Sequence, residues 1–172
     1  MQIKQTILSS LYLVRQAIFA GLCLVIILAF YNQFSDHLIF NVIGLSSIAS
    51  TIFLIFTAPH TLSGQNKSII GGYAIAIVIG VSCHYLLHNP YIATKFSPHL
   101  QSYFLLFCGG LTVFLAILFM TLLKMPHPPA MGFALGLVID SWEPHQALVL
   151  VFCIIVVLTV IKHLLHFKPL ID

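Results

Sequence analysis

The stretch "LLKMPHPPAMGFALG", residues 122–136, decides how this chain folds. It sets one lysine, one histidine and three prolines between two apolar runs. Proline inside a helix costs about 3 kcal/mol or more, and the residue before a proline is pushed out of the α region. The helix that arrives from the N-terminal side therefore breaks at His127. A new helix can start at Pro128, because proline is tolerated in a first helical turn. A histidine placed within hydrocarbon is a functional candidate by default.

That the surroundings are hydrocarbon follows from composition. Of 172 residues, 60% are hydrophobic and 6% charged, and the mean hydropathy is +1.07. A soluble domain carries roughly a quarter charged residues. This chain cannot cover a water-facing surface and reads as one integral membrane domain over residues 1–172. Its net charge of +3 is too small and too dispersed for nucleic-acid binding. Cys23, Cys83, Cys108 and Cys153 lie in apolar stretches without a CxxC pair, which excludes zinc-ribbon and thioredoxin sites. They read as packing thiols; Cys83 and Cys108 fall near one membrane face, which leaves a bridge between them open. Lys4 and Arg15 precede an apolar run that resembles a signal peptide, but Tyr31–Phe34 offers no small-residue cleavage site. The first helix is expected to stay.

A helix needs about 20 residues to cross a bilayer. Segments of about 11–31, 38–58, 69–88, 102–123 and 145–166 qualify. The piece 128–139 does not, since twelve residues make only about 18 Å of helix. It either crosses as a short helix or re-enters. Basic residues favour the cytoplasmic side. With a short crossing, Lys4, Arg15, Lys67, Lys124, Lys162 and Lys168 all fall inside and only Lys95 outside. Re-entry moves Lys162 and Lys168 outside. The sequence therefore predicts an all-α polytopic membrane bundle of five full spans plus one short broken helix at about 128–139. Both termini are expected to be cytoplasmic, in the plasma (inner) membrane.

Small residues crowd the spans. Gly44, Ser46, Ser47, Ala49 and Ser50 lie in one, Gly71, Gly72 and Gly80 in the next, and Gly132 and Gly136 in the short piece. Such residues let membrane helices approach closely, and the same positions could line a narrow pathway with backbone. "FTAPHTLSG" (56–64) and "LKMPHPPAMG" (123–132) share a Pro-His after an apolar helix, and both are expected at the cytoplasmic face.

At "HPPA" (127–130) the sequence resembles the HPP family of integral membrane proteins. The similarity extends over roughly residues 15–165. The segment "GLSSIASTIFLIFTAPHTLSGQNKSIIGGY" (44–73) is similar to the family's small-residue helix, polar loop and Gly-Gly helix start. Where the family commonly reads "PLAQPRNVIGGH", this chain has "TLSGQNKSIIGGY". Gln65, Lys67, Ile70, Gly71 and Gly72 match, Tyr73 replaces a His, and Asn66 stands at a usual Pro. Lys67 lies beside the usual Arg-Asn pair. Where the family commonly has "HPPAGATAL", this chain has "HPPAMGFAL", with Met131 at a small-residue position. The resemblance implies a small membrane fold around four spans, and nitrite transport is associated with some members.

A helix N-terminus favours anions. His127 at the break, with Lys124, His60 and Lys67 on the same side, reads as a cationic funnel for a small monovalent anion. A titrating histidine could couple its movement to protons. Pro128 and Pro129 remove two early N–H donors, so later amides and the imidazole would carry the coordination. The candidate pathway set is His127, Pro128, Pro129, His60, Gln65, Lys67, Gly71, Gly72, Lys124, Ser46 and Ser47. The bland alternative is a rigid helix break with His127 bonded to a carbonyl.

His84 and His88 at i, i+4, and His163 and His166 at i, i+3, have spacings that could hold a metal. They fall on opposite faces, so a metal enzyme is the lesser alternative and no catalytic residue, metal or cofactor is expected. "DSWEPH" (140–145) reads as an outer loop with an interfacial Trp142. The function this supports is a transporter or channel for a small inorganic anion, nitrite first, with the bilayer as partner and a homo-oligomer plausible. An accessory membrane subunit without its own flux is the other alternative.

Overall fold

The computed structural model describes residues 14, 17–26, 29, 38–89, 98–139 and 145–165. Among these there is no strand. The helices are α1 (Ala17–Ile26), α2 (Leu38–Thr57), α3 (Asn66–Leu87), α4 (Pro98–Leu122), α5 (Pro128–Ile139) and α6 (His145–Leu165). A short 3-10 turn, Leu62–Gly64, joins α2 to α3.

The 12-residue helix α5 is the centre of the bundle. It is apolar on all sides, and a helix of that kind has to be buried. Ala130, Phe133, Ala134, Gly136, Leu137 and Val138 are buried, and α5 packs on α2, α3 and α4. The helix α6 closes the bundle against α2 and α3. Phe19 of α1 meets Phe56 of α2 edge-on, with ring centroids 5.6 Å apart.

Side-chain contacts fix the helix directions. A Cβ on Gly72 would meet His127 and Ala130, and one on Gly80 would meet Ala134 and Leu137. Helices α3 and α5 therefore run parallel. Helix α5 starts level with the second turn of α3 and stops short of its end, so it is recessed at both ends. In α6, Lys162 reaches the carbonyls of Pro59 and Gly64 in the α2–α3 turn. The end of α6 thus lies on the face of that turn, here called the mouth face. Helix α5 takes the chain across the bundle and does not double back.

Asn66–Leu87 and Leu100–Leu122 are each long and apolar enough to cross a bilayer. Val78, Leu106, Phe107, Phe114 and Val149 are at least 60% exposed, a large apolar surface that suits lipid. Hydroxyls in the helices are spent locally: Ser50 donates to Ser46 O, Thr112 to Cys108 O and Thr159 to Ile155 O. Without water, each needs such a partner. The four cysteines are free thiols, and Cys83 and Cys108 are buried.

Two tight connections prepare the site. Helix α4 ends in a Schellman motif: the Met125 amide bonds Met120 O at 2.8 Å and the Lys124 amide bonds Thr121 O at 3.1 Å. Lys124 holds the left-handed position, φ 55°, where glycine is usual. A side chain there costs roughly 1–2 kcal/mol. In the α2–α3 turn, a Cβ on Gly64 would collide with the Ala58 carbonyl, so only glycine fits. Thr61 ties this turn by donating to Ala58 O at 2.8 Å and accepting from the Gly64 amide at 3.2 Å.

The sequence readings at Lys4, Arg15, Lys95, the 140–144 loop with Trp142, His166 and Lys168 lie outside the described residues.

Two glycines of this bundle should respond oppositely to alanine. At Gly80 a methyl would stand 2.9 Å from both Ala134 O and Leu137 Cδ1, whereas at Gly132 it meets nothing within 4 Å. Gly80→Ala should destabilise by about 1–3 kcal/mol. Gly132→Ala should be neutral or gain up to about 1 kcal/mol. Thermal unfolding in detergent would check both; equal effects would contradict the α3–α5 packing.

Candidate functional site

The break between α4 and α5 places His127 where α2, α3 and the α2–α3 turn converge. Its side chain is 1% exposed. Nδ1 lies 2.8 Å from the Ser63 carbonyl, and a carbonyl only accepts, so Nδ1 carries a hydrogen. Nε2 lies 3.0 Å from Thr51 Oγ1. Thr51 Oγ1 is 3.0 Å from Ser47 O and 2.9 Å from the Tyr73 hydroxyl. The Tyr73 hydroxyl is 2.8 Å from Ser47 Oγ, which donates to Pro129 O at 2.5 Å. Four side chains from three elements thus form one continuous buried chain.

Local sequence explains the assembly. Ser47 and Thr51 are one helical turn apart and so share a face of α2. Gly72 lets the break approach α3: a Cβ there would lie 2.6 Å from His127 Cβ. Gly71 does the same for Met125, whose sulfur would collide with a Cβ. The Tyr73 ring, fully buried, packs on His127 and Phe133 with centroids 5.5 and 5.6 Å away.

Beside this chain lies an open cleft of about 460 Å³, within the size range of small-molecule sites. Serines Ser46, Ser47, Ser50 and Ser63 line it, with Phe53, Leu54, Pro128, Pro129 and Gly132. Ser47 and Ser63 belong to both cleft and chain, so His127 stands directly behind the cleft wall.

The candidate set separates into three groups. Ser46, Ser47, Pro128 and Pro129 line the cleft. His127, Gly71 and Gly72 form the wall behind it; the two glycines face Met125 and His127 instead of the cleft. His60, Gln65, Lys67 and Lys124 are exposed on the mouth face, and none of them lines the cleft. Anion coordination was expected from the imidazole and the later amides of α5, and the imidazole is held within the protein. Both nitrogens of His127 are engaged. Pro128 and Pro129 have no N–H, and the Ala130 amide bonds His127 O at 3.0 Å. Met131 is half-buried against the core and Gly132 faces the cleft, so the larger residue does not narrow it.

Lys162 adds an element that sequence reasoning left as a topology marker. Its Nζ donates to Pro59 O at 3.0 Å and to Gly64 O. The α2–α3 turn is gripped from α6 by Lys162 and from the break by His127. His84 and His88 stack at 4.1 Å near the other end of α3. Among the described residues no group of three metal-ligating side chains converges.

His127 sits in the connection between α4 and α5, outside the spanning helices. Burial pushes its imidazole down from 6.5 to about 4, against a smaller upward pull from the Ser63 carbonyl. A lowered folded value means that the unfolded chain binds the proton more tightly. Stability contributed by the neutral ring is present above pH 6.5 and is lost as pH falls toward 4. The melting temperature in detergent should drop by several degrees across that window, and His127→Gln should flatten the dependence. Lys162→Met should cost about 1–3 kcal/mol at neutral pH, because two turn carbonyls lose their donor.

A family model described as HPP, transmembrane region, matches residues 6–167. No curated protein and no solved structure matches the chain.

Proposed function

The chain belongs to the HPP family of transmembrane proteins, and from that premise we propose that it moves a small inorganic anion, nitrite first, through the serine-lined cleft at the α5 break. In this reading it is a transport protein and not an enzyme. It has five full spans around the short α5, sits in the plasma (inner) membrane, and keeps its mouth face and both termini in the cytoplasm. A homo-oligomer would supply the wall on the open side of the cleft.

One observation carries the choice of an anion. Among the described residues every lysine, Lys67, Lys124 and Lys162, lies at the mouth face, and no aspartate or glutamate is present at all. A mouth of one sign concentrates ions of the other. The N-terminal end of the α5 dipole, where Pro128 and Pro129 border the cleft, adds partial positive charge. The same lysines favour a cytoplasmic mouth. The serine hydroxyls replace part of an anion's hydration without adding charge. The strained backbone at Lys124 fits this reading, since strain is retained where a side chain has a task.

Nitrite uptake into proteoliposomes tests the proposal. Gly132 faces the cleft with open space around it, so Gly132→Trp fills the pathway in front of the Ser47 wall. Wild type and Gly132→Ala should transport alike, and Gly132→Trp should lose tenfold or more. Equal uptake by wild type and Gly132→Trp would move the pathway elsewhere. No uptake by wild type beside a working control would exclude nitrite.

A further inference from the structure

We propose that Ser47, Tyr73, Thr51 and His127 form a reversible proton relay, and that an anion enters the cleft together with a proton stored on His127. The identity of the solute rests on the transport reading above; the relay itself does not.

Hydrogen counting carries the inference. The buried chain has six contacts: Nδ1 to Ser63 O, Nε2 to Thr51, Thr51 to Ser47 O, Thr51 to Tyr73, Tyr73 to Ser47, and Ser47 to Pro129 O. With a neutral ring the four side chains supply one hydrogen each. Nδ1–H is fixed on the Ser63 carbonyl, so Thr51 donates to the bare Nε2, and with Tyr73 donating to Thr51 and Ser47 to Tyr73 the three hydroxyls make one run. Every hydroxyl then points toward His127. In that arrangement Pro129 O and Ser47 O receive no side-chain hydrogen, and Ser47 stands in the cleft wall.

One added proton reverses the chain. It enters at Ser47 Oγ from the cleft, and each hydroxyl passes its own hydrogen one place along. Nε2 gains the last, the ring becomes an imidazolium, and no other bond forms or breaks. Nε2 can then donate to Thr51, Thr51 to Ser47 O, Tyr73 to Ser47 Oγ, and Ser47 to Pro129 O, which fills five of the six contacts and leaves only Thr51–Tyr73 without a hydrogen. The 2.5 Å Ser47–Pro129 and 3.0 Å Thr51–Ser47 carbonyl contacts are those of this second arrangement. The chain is thus built for both states, and its hydroxyls connect the cleft to the ring.

Two influences oppose each other at His127. Burial favours the neutral ring, while a second ring N–H fills one more of the six contacts. An anion in the cleft tips the balance, because the imidazolium and the anion then form a neutral pair across the Ser47–Ser63 wall. Pairing removes most of the cost of burying either charge alone. The groups that face His127 leave it in control. From α2 come Ser47 and Thr51, from α3 Tyr73, from α5 Phe133, and from the turn the Ser63 carbonyl. Lys162 of α6 is held on turn carbonyls, His60 and Lys124 are exposed, and no carboxylate occurs among the described residues.

Infrared difference spectroscopy on the full chain in detergent, with ring-labelled tyrosine, reads the relay directly. Tyr73→Phe and His127→Gln assign the bands, and sodium nitrite and acid are the two stimuli. In wild type, both stimuli should protonate His127 and shift the Tyr73 band together. Nitrite binding should take up close to one proton, and its apparent affinity should rise about tenfold per unit fall in pH above the free-protein transition. Thr51→Val should let acid protonate His127 while the Tyr73 band stays still, and Thr51→Ser should restore the shift. A Tyr73 band that ignores His127 protonation, or that follows it in Thr51→Val, overturns the relay. Nitrite binding without proton uptake overturns the paired entry. A Thr51-dependent response to acid but none to nitrite leaves the relay standing and removes nitrite as the solute.

Discussion

The hydrogen bond from His127 Nδ1 to the Ser63 carbonyl joins the two connections on which this bundle is organised. It fastens the α4–α5 break to the α2–α3 turn. With that bond made, the ring's other nitrogen is aimed at α2, the Gly72 face of α3 can close on the break, and α5 starts at a fixed depth among its neighbours. The turn it grips closes because Gly64 has no Cβ to strike the Ala58 carbonyl, and it is anchored to α6 through Lys162. A buried polar group without a partner would cost about 1–3 kcal/mol, so the convergence of donors and carbonyls here gives the apolar bundle its register. Apolar packing alone specifies such register weakly, since one lipid-like face resembles another.

The helices were legible in the sequence because their signals are local. Prolines at 126, 128 and 129 dictate the break, apolar length dictates the membrane, and the uniform apolarity of 128–139 dictates burial. The crossing of α5 was legible from the lysines, as Lys162 beside Gly64 agrees with a shared face. The echo of Pro-His at 59–60 and 126–127 placed both dipeptides on one face, yet concealed their difference: His60 is exposed and His127 is buried. Burial depends on what lies across the bundle, which no dipeptide records.

The site was legible in outline only. Ser46, Ser47, Pro128 and Pro129 could be named from small-residue and break arguments, and they border the cleft. Thr51 and Tyr73 were not placed in the site, although both carried a signal. Thr51 repeats the face of Ser47 one turn on, and Tyr73 stands where the resemblance leads one to expect a histidine. Their importance comes from meeting each other across 22 positions, at 2.9 Å. Lys162 was counted as a charge, and its reach to two carbonyls depends on the tertiary path of α6. Of the two roles that small residues allow, Gly71 and Gly72 serve close packing, against Met125 and His127.

The recessed ends of α5 bear on how a membrane potential would fall across this fold. A helix of twelve residues is about 18 Å long, against about 30 Å of surrounding hydrocarbon. Where the bundle admits water to those recesses, the membrane potential falls over the shorter distance, and the local field is steeper by about the ratio of the two lengths. A unit charge gains about 2.3 kcal/mol per 100 mV over the whole drop. In this fold most of that energy would be exchanged within a few helical turns beside Phe133 and Leu137, so a charge translocated there would feel the voltage abruptly, whereas a neutral pair would be blind to it.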